Sequence, residues 1–514
     1  MKKLPIAKSV FKEIIEENCC YVDKTQYVKM LEDFPSKYLF ISRPRRFGKT
    51  LFLDTIRAAY TAEKELFNGL SLEKNWDWTK KYPIISLDWG CGTVTNKEEL
   101  EESFAATLRF NARRYQIKLE EKLPARQFEE LIVTLYEKYG EVVILVDEYD
   151  KPIVDNLGKK QADVMRETLG GFYSVLKSSD QYLKLVFLTG VSKFAKTSIF
   201  SKLNNIKDLT YDAAYSDLFG YTQKEFEDVF AEYLTDVDLE KVKEWYDGYK
   251  FLGSEMYNPY DILLFLYDKR YRFYWFETGT PTLLVNELKR DKKKIPDFNN
   301  IFVSETDLQS FDIHNMKFEV LLLQTGYLTI DEEFTKGSKI NYRLKLPNLE
   351  VRTALNDFLL SNLFYPDTNQ DKNVFSNQLY DLFFEQKPEQ LKPLFESFFE
   401  SIPHQWYKKN DIAKYEGYYH CLFYTAFSSL GFETIPEDST RGGDIDLTVI
   451  TEDAIYIFEF KMEYSKMTAM EQIKERGYYK KYLNSGKNIY LIGIEFDKEK
   501  RNISDFELEK REIN

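Results

Sequence analysis

The 514-residue chain has few of the residues that build cross-linked or metal-bound scaffolds. It contains only four cysteines and three histidines. The cysteines form no C-x-x-C pair, and the adjacent Cys19 and Cys20 cannot easily bridge each other, so neither a disulfide framework nor a zinc site is expected. Three histidines are too few for a histidine-rich metal centre. This pattern is typical of a reducing compartment, and we expect a cytoplasmic protein.

Long apolar runs and a surplus of basic charge are also missing. No stretch approaches the ~18 uncharged apolar residues of a transmembrane helix, and the N-terminal residues MKKLPIAKSVFKEII hold no apolar run long enough for a signal peptide. We therefore expect no membrane association. The net charge of −13 disfavours a generic nucleic-acid binder. Contacts with DNA or RNA would have to come from local basic patches or from Mg²⁺ bridging.

The chain has ample material for a folded core. Hydrophobic residues make up 43% of it and aromatic residues 16%, with 37 tyrosines and 40 phenylalanines. This composition is typical of a globular protein, and the length predicts about three domains.

The most informative segment is residues 37–60, KYLFISRPRRFGKTLFLDTIRAAY. The apolar run Tyr38–Ile41 predicts a buried strand, and an amphipathic helix is expected to begin near Thr50. Gly48, Lys49 and Thr50 end a phosphate-binding loop at this junction. A helix N-terminus attracts phosphate, glycine lets the backbone approach, lysine reaches the terminal phosphates, and the threonine hydroxyl can hold Mg²⁺.

The loop departs from G-x-x-x-x-G-K-[ST], because Arg43 stands where the first glycine would be. A bare GKT is weak, but a strand before it and a helix after it strengthen the prediction. Arg43, Arg45 and Arg46 either add positive charge to the phosphate cradle or form a solvated basic loop. The predicted nucleotide-binding residues are Arg46, Phe47, Gly48, Lys49, Thr50 and Asp147.

Two further strands are predicted to end beside this loop. The apolar run Val142–Val146 suits a parallel strand covered on both faces, and it ends in Asp147 and Glu148. Asp147 would hold Mg²⁺ and Glu148 would orient the attacking water. The alternative is a strand that simply ends in an acidic turn. A third strand ends at Thr189, which either senses the terminal phosphate or is an ordinary strand end.

The middle of the chain predicts a helical region beside the sheet, with a small winged-helix-like element. The segment 365–377 is polar enough for a linker, and residues 378–402 alternate aromatic and charged residues as helices do.

The last hundred residues predict a second, independent site. Asp444–Ile450 and Ala454–Met462 read as two strands, which an antiparallel hairpin would place side by side. Period-2 geometry puts Glu459 and Lys461 on one face, and Asp446 can face them from the neighbouring strand. Two carboxylates that hold Mg²⁺, together with a lysine beside the attacking water, are suited to phosphodiester hydrolysis. Alternating Glu and Lys are also common on exposed strands, but charges on a strand this apolar need a reason.

Two helices are expected to support this site. Glu416 and His420 lie one turn apart on a helix predicted over 415–430, and both could point at the same pocket. Downstream, Gln472 lies on a helix with several basic residues. That helix either meets a phosphate backbone or presents a solvated charged face.

The motifs RPRRFGKT, YVDKT, DEYDKP and TGVSKF together resemble the bacterial AAA-ATPase-like family, whose members commonly end in a PD-(D/E)XK nuclease-superfamily domain. The resemblance covers nearly the whole chain. It implies an α/β fold: a P-loop NTPase parallel sheet, a helical and winged-helix-like middle region, and a C-terminal α/β restriction-endonuclease-like domain. The expected boundaries are 1–215 for the ATPase-like domain, 216–362 for the middle region, 363–402 for a helical linker and 403–514 for the nuclease-like domain.

The resemblance also implies roles for the residues above. ATP and Mg²⁺ would bind at Gly48, Lys49 and Thr50, with Asp147 and Glu148 as the second acidic motif. The nuclease core would be Asp446, Glu459 and Lys461, with Glu416 and Gln472 as supporting residues. One departure is Asp444. Where the family often reads Gly-Arg-x-Asp, this chain reads Gly443-Asp444-Ile445-Asp446. Asp444 is either a further metal ligand or a sign that the site has drifted.

Two functional hypotheses follow from these expectations. The first is an ATP-controlled nuclease acting on DNA or RNA, for which mobile-element or phage defence is a natural setting. The second is a nucleotide-switched interaction protein with a vestigial nuclease domain. The sequence leaves open whether the protein is an oligomer.

Overall fold

The computed structural model describes residues 1–90, 92–193, 206–278, 301–309, 317–361, 369–401, 416–463, 465 and 467–511. Within these ranges, the side chains at 277, 278, 309, 369–372, 401 and 416–418 lie outside the description. The chain divides into two compact units, one covering the described residues up to Asn348 and one covering those from Leu349 onward. Among the described helices, none has the length and apolar character needed to cross a bilayer.

The first unit is built on a five-stranded parallel sheet with the order β2-β3-β4-β1-β5. Its strands are β1 (Tyr38–Ser42), β2 (Ile84–Asp88), β3 (Val142–Asp147), β4 (Leu183–Gly190) and β5 (Lys207–Asp208). Every residue of β1 and β3 is buried. Uninterrupted apolar runs are required because helices cover both faces of such a sheet. The predicted parallel sheet is therefore confirmed.

Helices begin at residues suited to their first turns. Asn96 accepts a hydrogen bond from the Glu99 N–H at 2.9 Å, and Pro124 occupies the first turn of the next helix, where its missing N–H costs nothing. The helices before β5 are Phe11–Glu16, Gln26–Glu32, Lys49–Tyr60, Lys97–Arg114, Pro124–Tyr139, Lys151–Val154, Gln161–Tyr173 and Val175–Ser178.

The same unit continues into a helical region around a small sheet with the order β6-β8-β7. The strands are β6 (Tyr221–Thr222), β7 (Tyr249–Lys250) and β8 (Glu255–Tyr257). The helices are Gln223–Phe230, Leu239–Tyr246, Pro259–Asp268 and Tyr274–Thr278. The helix Pro259–Asp268 begins after Asn258, whose side chain accepts from the Tyr260 N–H at 2.9 Å.

The last part of the first unit is winged-helix-like, as predicted. The helices Glu305–Gln309 and Phe318–Thr325 accompany an antiparallel sheet with the order β10-β11-β9. Its strands are β9 (Ile301–Ser304), β10 (Thr329–Lys336) and β11 (Lys339–Lys345). Gly326 ends the second helix at φ +92°, a left-handed conformation that glycine adopts without steric cost.

The second unit is an α/β domain with a mixed five-stranded sheet in the order β12-β13-β14-β15-β16. The strands are β12 (Glu433–Thr440), β13 (Gly443–Ile450), β14 (Ala454–Met462), β15 (Asn488–Asp497) and β16 (Asn502–Arg511). Only β14 and β15 pair in parallel. The helices are Leu349–Leu359, Asn369–Phe384, Leu391–Ser401, Glu416–Ser429 and Ala469–Arg476.

The segment predicted as a polar linker, residues 365–377, is helical from Asn369 onward. Helices on either side of residue 385 pack into the second unit through aromatic rings. Phe383 contacts Phe427 at 5.1 Å between ring centroids, and Phe395 stacks on Phe423 at 3.9 Å. The four-part division into domains stays a prediction.

Candidate functional site

The loop between β1 and the helix Lys49–Tyr60 has the geometry of a phosphate cradle. Gly48 precedes the helix at φ +91°, and a Cβ built there would have no atom within 4 Å. A left-handed glycine with open space beside it lets a ligand approach the backbone closely. The helix that follows directs its positive end at the same space.

Lys49 is buried inside the curve of this loop. Its Nζ donates to the backbone oxygens of Arg43 at 3.0 Å and Pro44 at 2.8 Å. Burial lowers the pKa of the Lys49 ammonium, and the nearby Asp147 carboxylate opposes that change. The amine is thus held at the centre of the loop, where a phosphate chain would compete for its protons.

Asp147, at the end of β3, links its own strand to a second strand and to a helix. The Thr50 hydroxyl donates to Asp147 Oδ2 at 2.6 Å, and the Thr189 hydroxyl donates to Asp147 Oδ1 at 2.7 Å. Thr189 ends β4, so the structure joins residues from two strands and one helix. Thr189 is therefore not an ordinary strand end, because its hydroxyl orients the Asp147 carboxylate. Thr50 Oγ1 and the Asp147 carboxylate are oxygen donors of the kind that Mg²⁺ prefers.

Glu148 occupies a strained position beside Asp147. Its φ is +47°, which is uncommon for a non-glycine residue and is concentrated at functional sites. Burial raises the pKa of the Glu148 carboxyl, and the Asp147 charge raises it further. A carboxylate with a raised pKa is suited to accept a proton from water near neutral pH.

Two residues near Glu148 were not predicted from the sequence. Asp88 ends β2 directly beside Asp147 in the sheet register, and its Oδ1 accepts from the Gly90 N–H at 2.7 Å. A Cβ on Gly90 would lie 2.9 Å from Asp88 Oδ1 and 3.1 Å from Glu148 Oε2. The signal available in the sequence is Asp-Trp-Gly at the end of a strand.

Arg43 corrects both interpretations of the basic loop, because it neither joins the cradle nor faces solvent. It is 1% exposed, its guanidinium donates to the Thr210 oxygen at 2.8 Å and the Tyr215 oxygen at 3.1 Å, and it lies 4.1 Å from the Phe251 ring centre. Burial lowers its pKa to about 10. Arg43 directly follows the buried strand β1, and its side chain ties the start of the loop to the segment after β5.

The other predicted loop residues divide between two roles. Arg45 and Arg46 are exposed, and Arg46 lies 4.8 Å from the Tyr260 ring centre. Phe47 is buried and packs edge-on against Tyr249 at 4.9 Å between ring centroids. Phe47 therefore anchors the loop through its side chain, and only its backbone is placed to meet a nucleotide.

A cavity of about 650 Å³ adjoins these residues. Its lining includes the polar residues Arg46, Lys49, Thr50 and Glu148 and the apolar or aromatic residues Val22, Tyr221, Tyr260 and Leu263. Volumes of this size suit cofactors and small ligands. Charged groups for phosphates and aromatic rings for a flat base are the two kinds of lining that a nucleotide requires.

The second site lies on the hairpin of β13 and β14. These strands pair antiparallel with Leu447 opposite Phe458, which brings Asp446 next to the end of β14. Asp446 Oδ2 accepts from the Phe460 N–H at 2.7 Å, and Lys461 Nζ lies 3.2 Å from Glu459 Oε1. The three predicted residues are thus brought together.

Glu459 is an unusual buried carboxylate. It is 0% exposed, and its Oε2 has no hydrogen-bond partner among the described residues. Burial, followed by the Asp446 charge, raises the pKa of Glu459 to about 8, and Lys461 opposes this rise. An orphaned oxygen in a site rich in negative charge fits a cation. In the described part of the chain, no group of three or more His, Cys, Asp or Glu residues forms a metal cluster.

Gln472 contacts Glu459 directly. Its Nε2 donates to Glu459 Oε1 and lies 3.3 Å from the Tyr478 hydroxyl. The helix that carries it starts at a capping box formed by Thr468 and Glu471. Tyr478 was not predicted, because it lies beyond the end of the helix and no local sequence pattern places it beside Gln472.

His420, on the upstream helix, does not share this pocket. The His420 ring lies 5.6 Å from the Phe460 ring, and Phe460 alternates with Glu459 and Lys461 along β14, so His420 lies on the opposite face of the sheet. The expectation that His420 faces the site is wrong. Glu416 begins this helix, and its side chain lies outside the described residues.

Other charged residues near the hairpin have partners within the domain. Asp444 is exposed and accepts from the Ser439 hydroxyl at 2.7 Å. Lys474 pairs with Glu509 at 2.8 Å, Arg476 donates to the Gly442 oxygen at 3.1 Å, and Lys481 pairs with Asp438. These basic residues, for which the sequence left open contact with a phosphate backbone or a solvated charged face, are therefore engaged in contacts within the domain.

Comparison with known proteins finds two matching families. The model of a family described as predicted AAA-ATPase matches residues 5–200, and that of the PD-(D/E)XK nuclease superfamily matches residues 414–506. A protein of Azotobacter chroococcum mcd 1, named only as an uncharacterized protein in the vnfD 5′ region, is 41% identical over 99% of both chains.

Two solved structures from Aeropyrum pernix resemble the chain weakly. ORC2, in ADPNP–ADP complexes, is 11% identical with a TM-score of 0.30, and ORC1 in complex with DNA is 10% identical with a TM-score of 0.25. Each match covers 66% of this chain and 93% of the other. Scores this low support no inference about function.

Proposed function

The chain belongs to the predicted AAA-ATPase family whose members carry a C-terminal PD-(D/E)XK nuclease-superfamily domain, and we propose that it is an ATP-hydrolysing protein that controls a metal-dependent nuclease. The observation that carries the nuclease is Glu459, a fully buried carboxylate with an orphaned oxygen between Asp446 and Lys461. Such an arrangement costs stability unless a bound cation repays it.

The nucleotide half of the proposal assigns a separate task to each residue. Lys49 would exchange its two carbonyl acceptors for oxygens of the terminal phosphates. Thr50 and Asp147 would hold Mg²⁺, which would neutralise charge on the phosphates. Glu148 would orient the attacking water and take its proton, since a raised pKa makes the carboxylate a stronger base. Thr189 would keep Asp147 in place through its hydrogen bond.

The nuclease half rests on the hairpin and on the helix that carries Gln472. Asp446 and Glu459 would hold a divalent cation, which supplies charge stabilisation and a lower pKa for water. Lys461 would place a positive charge beside the scissile phosphate. Gln472 would hold Glu459 by donating to its Oε1, and the Tyr478 hydroxyl, which accepts from Gln472, would help to keep Gln472 in place. Oε2 has no hydrogen-bond partner among the described residues.

An ATP-controlled nuclease suits defence against mobile elements or phages, because uncontrolled cleavage would damage the cell's own nucleic acid. We propose this role and a cytoplasmic location together, with DNA or RNA as the substrate.

The test is a cleavage assay on purified full-length protein. Plasmid, linear and single-stranded DNA and RNA are incubated with Mg²⁺ or Mn²⁺, with and without ATP. We expect the parent to cut, Lys461→Ala to abolish cutting, and Lys49→Ala to cut without responding to ATP. Lys500→Ala changes a lysine that is 83% exposed in the same domain and should behave like the parent.

No cleavage by the parent under any condition, alongside retained ATP binding, would contradict the nuclease. That result would favour the nucleotide-switched interaction protein instead.

A further inference from the structure

The winged-helix-like sheet of the first unit presents a solvent-facing surface that neither proposed site uses. Successive residues of β9 and β11 point to opposite faces of the sheet. Ile301, Val303, Tyr342 and Leu344 are buried on one face. The register pairs Phe334 with Asn341, Arg343 with Phe302, and Lys336 with Lys339. These six residues therefore share the opposite face, which we name the wing face.

Two aromatic rings lie on the wing face. Phe302 is 54% exposed, which is a large exposure for an aromatic side chain on a strand. It meets Phe334 edge-on, with ring centroids 5.9 Å apart and planes at 89°. In an edge-to-face pair the edge of one ring covers only one face of the other, so the pair leaves aromatic surface open to a ligand.

Positive charge gathers at one end of the wing face. Lys336 and Lys339 flank the turn between β10 and β11, and both are exposed. At the other end, Arg343 is balanced by Asp331 at 2.6 Å and Glu332 at 3.1 Å. The turn is thus a local cationic spot in a chain whose net charge is −13.

We propose that the wing face binds single-stranded nucleic acid, with bases stacked on Phe302 and Phe334 and the phosphate backbone led over Lys336 and Lys339. An aromatic platform beside a basic track is the chemistry that recognises a single strand without sequence preference. A duplex hides its base faces, so it would gain only the two lysine contacts. This inference rests on the proposed function only in taking nucleic acid as the substrate.

The experiment is fluorescence anisotropy of labelled oligodeoxythymidine of about 16 nucleotides, titrated with full-length protein in EDTA so that no cleavage occurs. Phe302→Ala should weaken binding roughly fivefold to a hundredfold, since a stacked base is lost. Lys336→Glu/Lys339→Glu should weaken it at least tenfold and reduce the slope of log affinity against log salt by about 1.4, because two phosphate contacts are lost.

The matched control is Lys159→Glu/Lys160→Glu, which makes the same charge change at two exposed lysines elsewhere in the first unit. It should bind like the parent. Equal binding by the control and both wing variants would overturn the inference, as would no binding by the parent or a duplex that competes as well as the single strand.

The two proposals fail separately. Cleavage that persists in the wing variants with unchanged affinity would overturn only the wing face. Binding that depends on the wing face in a protein that never cuts would overturn only the nuclease.

Discussion

At the residue scale, position 43 shows how one side chain can replace the usual architecture of a phosphate-binding loop. The guanidinium of Arg43 satisfies backbone oxygens of Ser42, Thr210 and Tyr215 in a fully buried site. Those oxygens belong to two separate segments that flank the loop. Arg43 therefore ties the loop's first residue to the chain that follows β5.

Replacing Arg43 should destabilise the first unit, although the Arg43 side chain is not placed to contact a nucleotide. Arg43→Ala leaves several buried oxygens without donors, and we expect a loss of about 2–4 kcal/mol in the free energy of unfolding. Thermal melting followed by circular dichroism measures this. Arg45→Ala removes an exposed guanidinium from the same loop and should change stability by less than about 0.5 kcal/mol. Equal effects would show that Arg43 is not the support described.

Glu459 makes a prediction about pH. Its pKa is raised from 4.5 to about 8 in the folded protein. Between pH 4.5 and about pH 8, the native state therefore keeps a proton on Glu459 that the unfolded state has released. Without metal, the stability of the second unit should therefore fall as pH rises from about 4.5 to about 8. Divalent metal should stabilise the protein more at pH 8.5 than at pH 6.5, since binding requires the carboxylate.

Melting temperatures across this pH range, with EDTA and with Mg²⁺, measure the effect. Glu459→Gln should flatten the pH dependence in EDTA and remove the response to Mg²⁺. An unchanged profile in that variant would rule out Glu459 as the titrating group.

Residues that carry local signals could be predicted, and residues recruited by folding could not. Gly48, Lys49 and Thr50 form one contiguous motif, and Asp147 ends a recognisable apolar strand. Asp88 reaches the same site only because β2 pairs beside β3, a fact that no local pattern contains. His420 was misplaced because a helical repeat does not tell which face of a sheet the helix covers.

At the element scale, the helix Ala469–Arg476 lies close to β15 because Gly493 has no side chain. A Cβ at Gly493 would lie 2.6 Å from the Met470 nitrogen, and the obstacle is backbone that cannot rotate away. The close packing holds Gln472 against Glu459.

Gly493→Ala should push this helix away and loosen Gln472. We expect a loss of about 1–3 kcal/mol in stability and a fall of roughly tenfold in cleavage rate, since a misplaced supporting residue commonly costs that much. Gly171→Ala, in a helix where a Cβ meets nothing within 4 Å, should leave cleavage unchanged and raise stability slightly. Parent-like cleavage by Gly493→Ala would show that helix position does not matter.

Strands and helices with a clear pattern of apolar residues were predictable, including β3, β14 and the helix Glu416–Ser429. The polar stretch 365–377 misled because charged and amide side chains are equally typical of linkers and of helix surfaces. Packing decides between these alternatives, and packing is not a local property.

At the scale of the whole molecule, net charge and function point in different directions. A chain with a charge of −13 repels nucleic acid on average, so binding at the wing face depends on its two lysines, and binding at the nuclease site depends on a cation held by Asp446 and Glu459. Two compact units with one site each fit a protein in which one reaction controls another.

The central claim is that a nucleoside triphosphate binds where the helix Lys49–Tyr60 begins. Isothermal titration calorimetry of ATP with Mg²⁺ into the full-length protein tests it directly. The account predicts saturable binding to the parent and to Lys138→Ala, an exposed lysine of the same unit, with no detectable binding to a folded Lys49→Ala. Absence of binding by the folded parent to any purine nucleotide, or equal binding by Lys49→Ala, would contradict it.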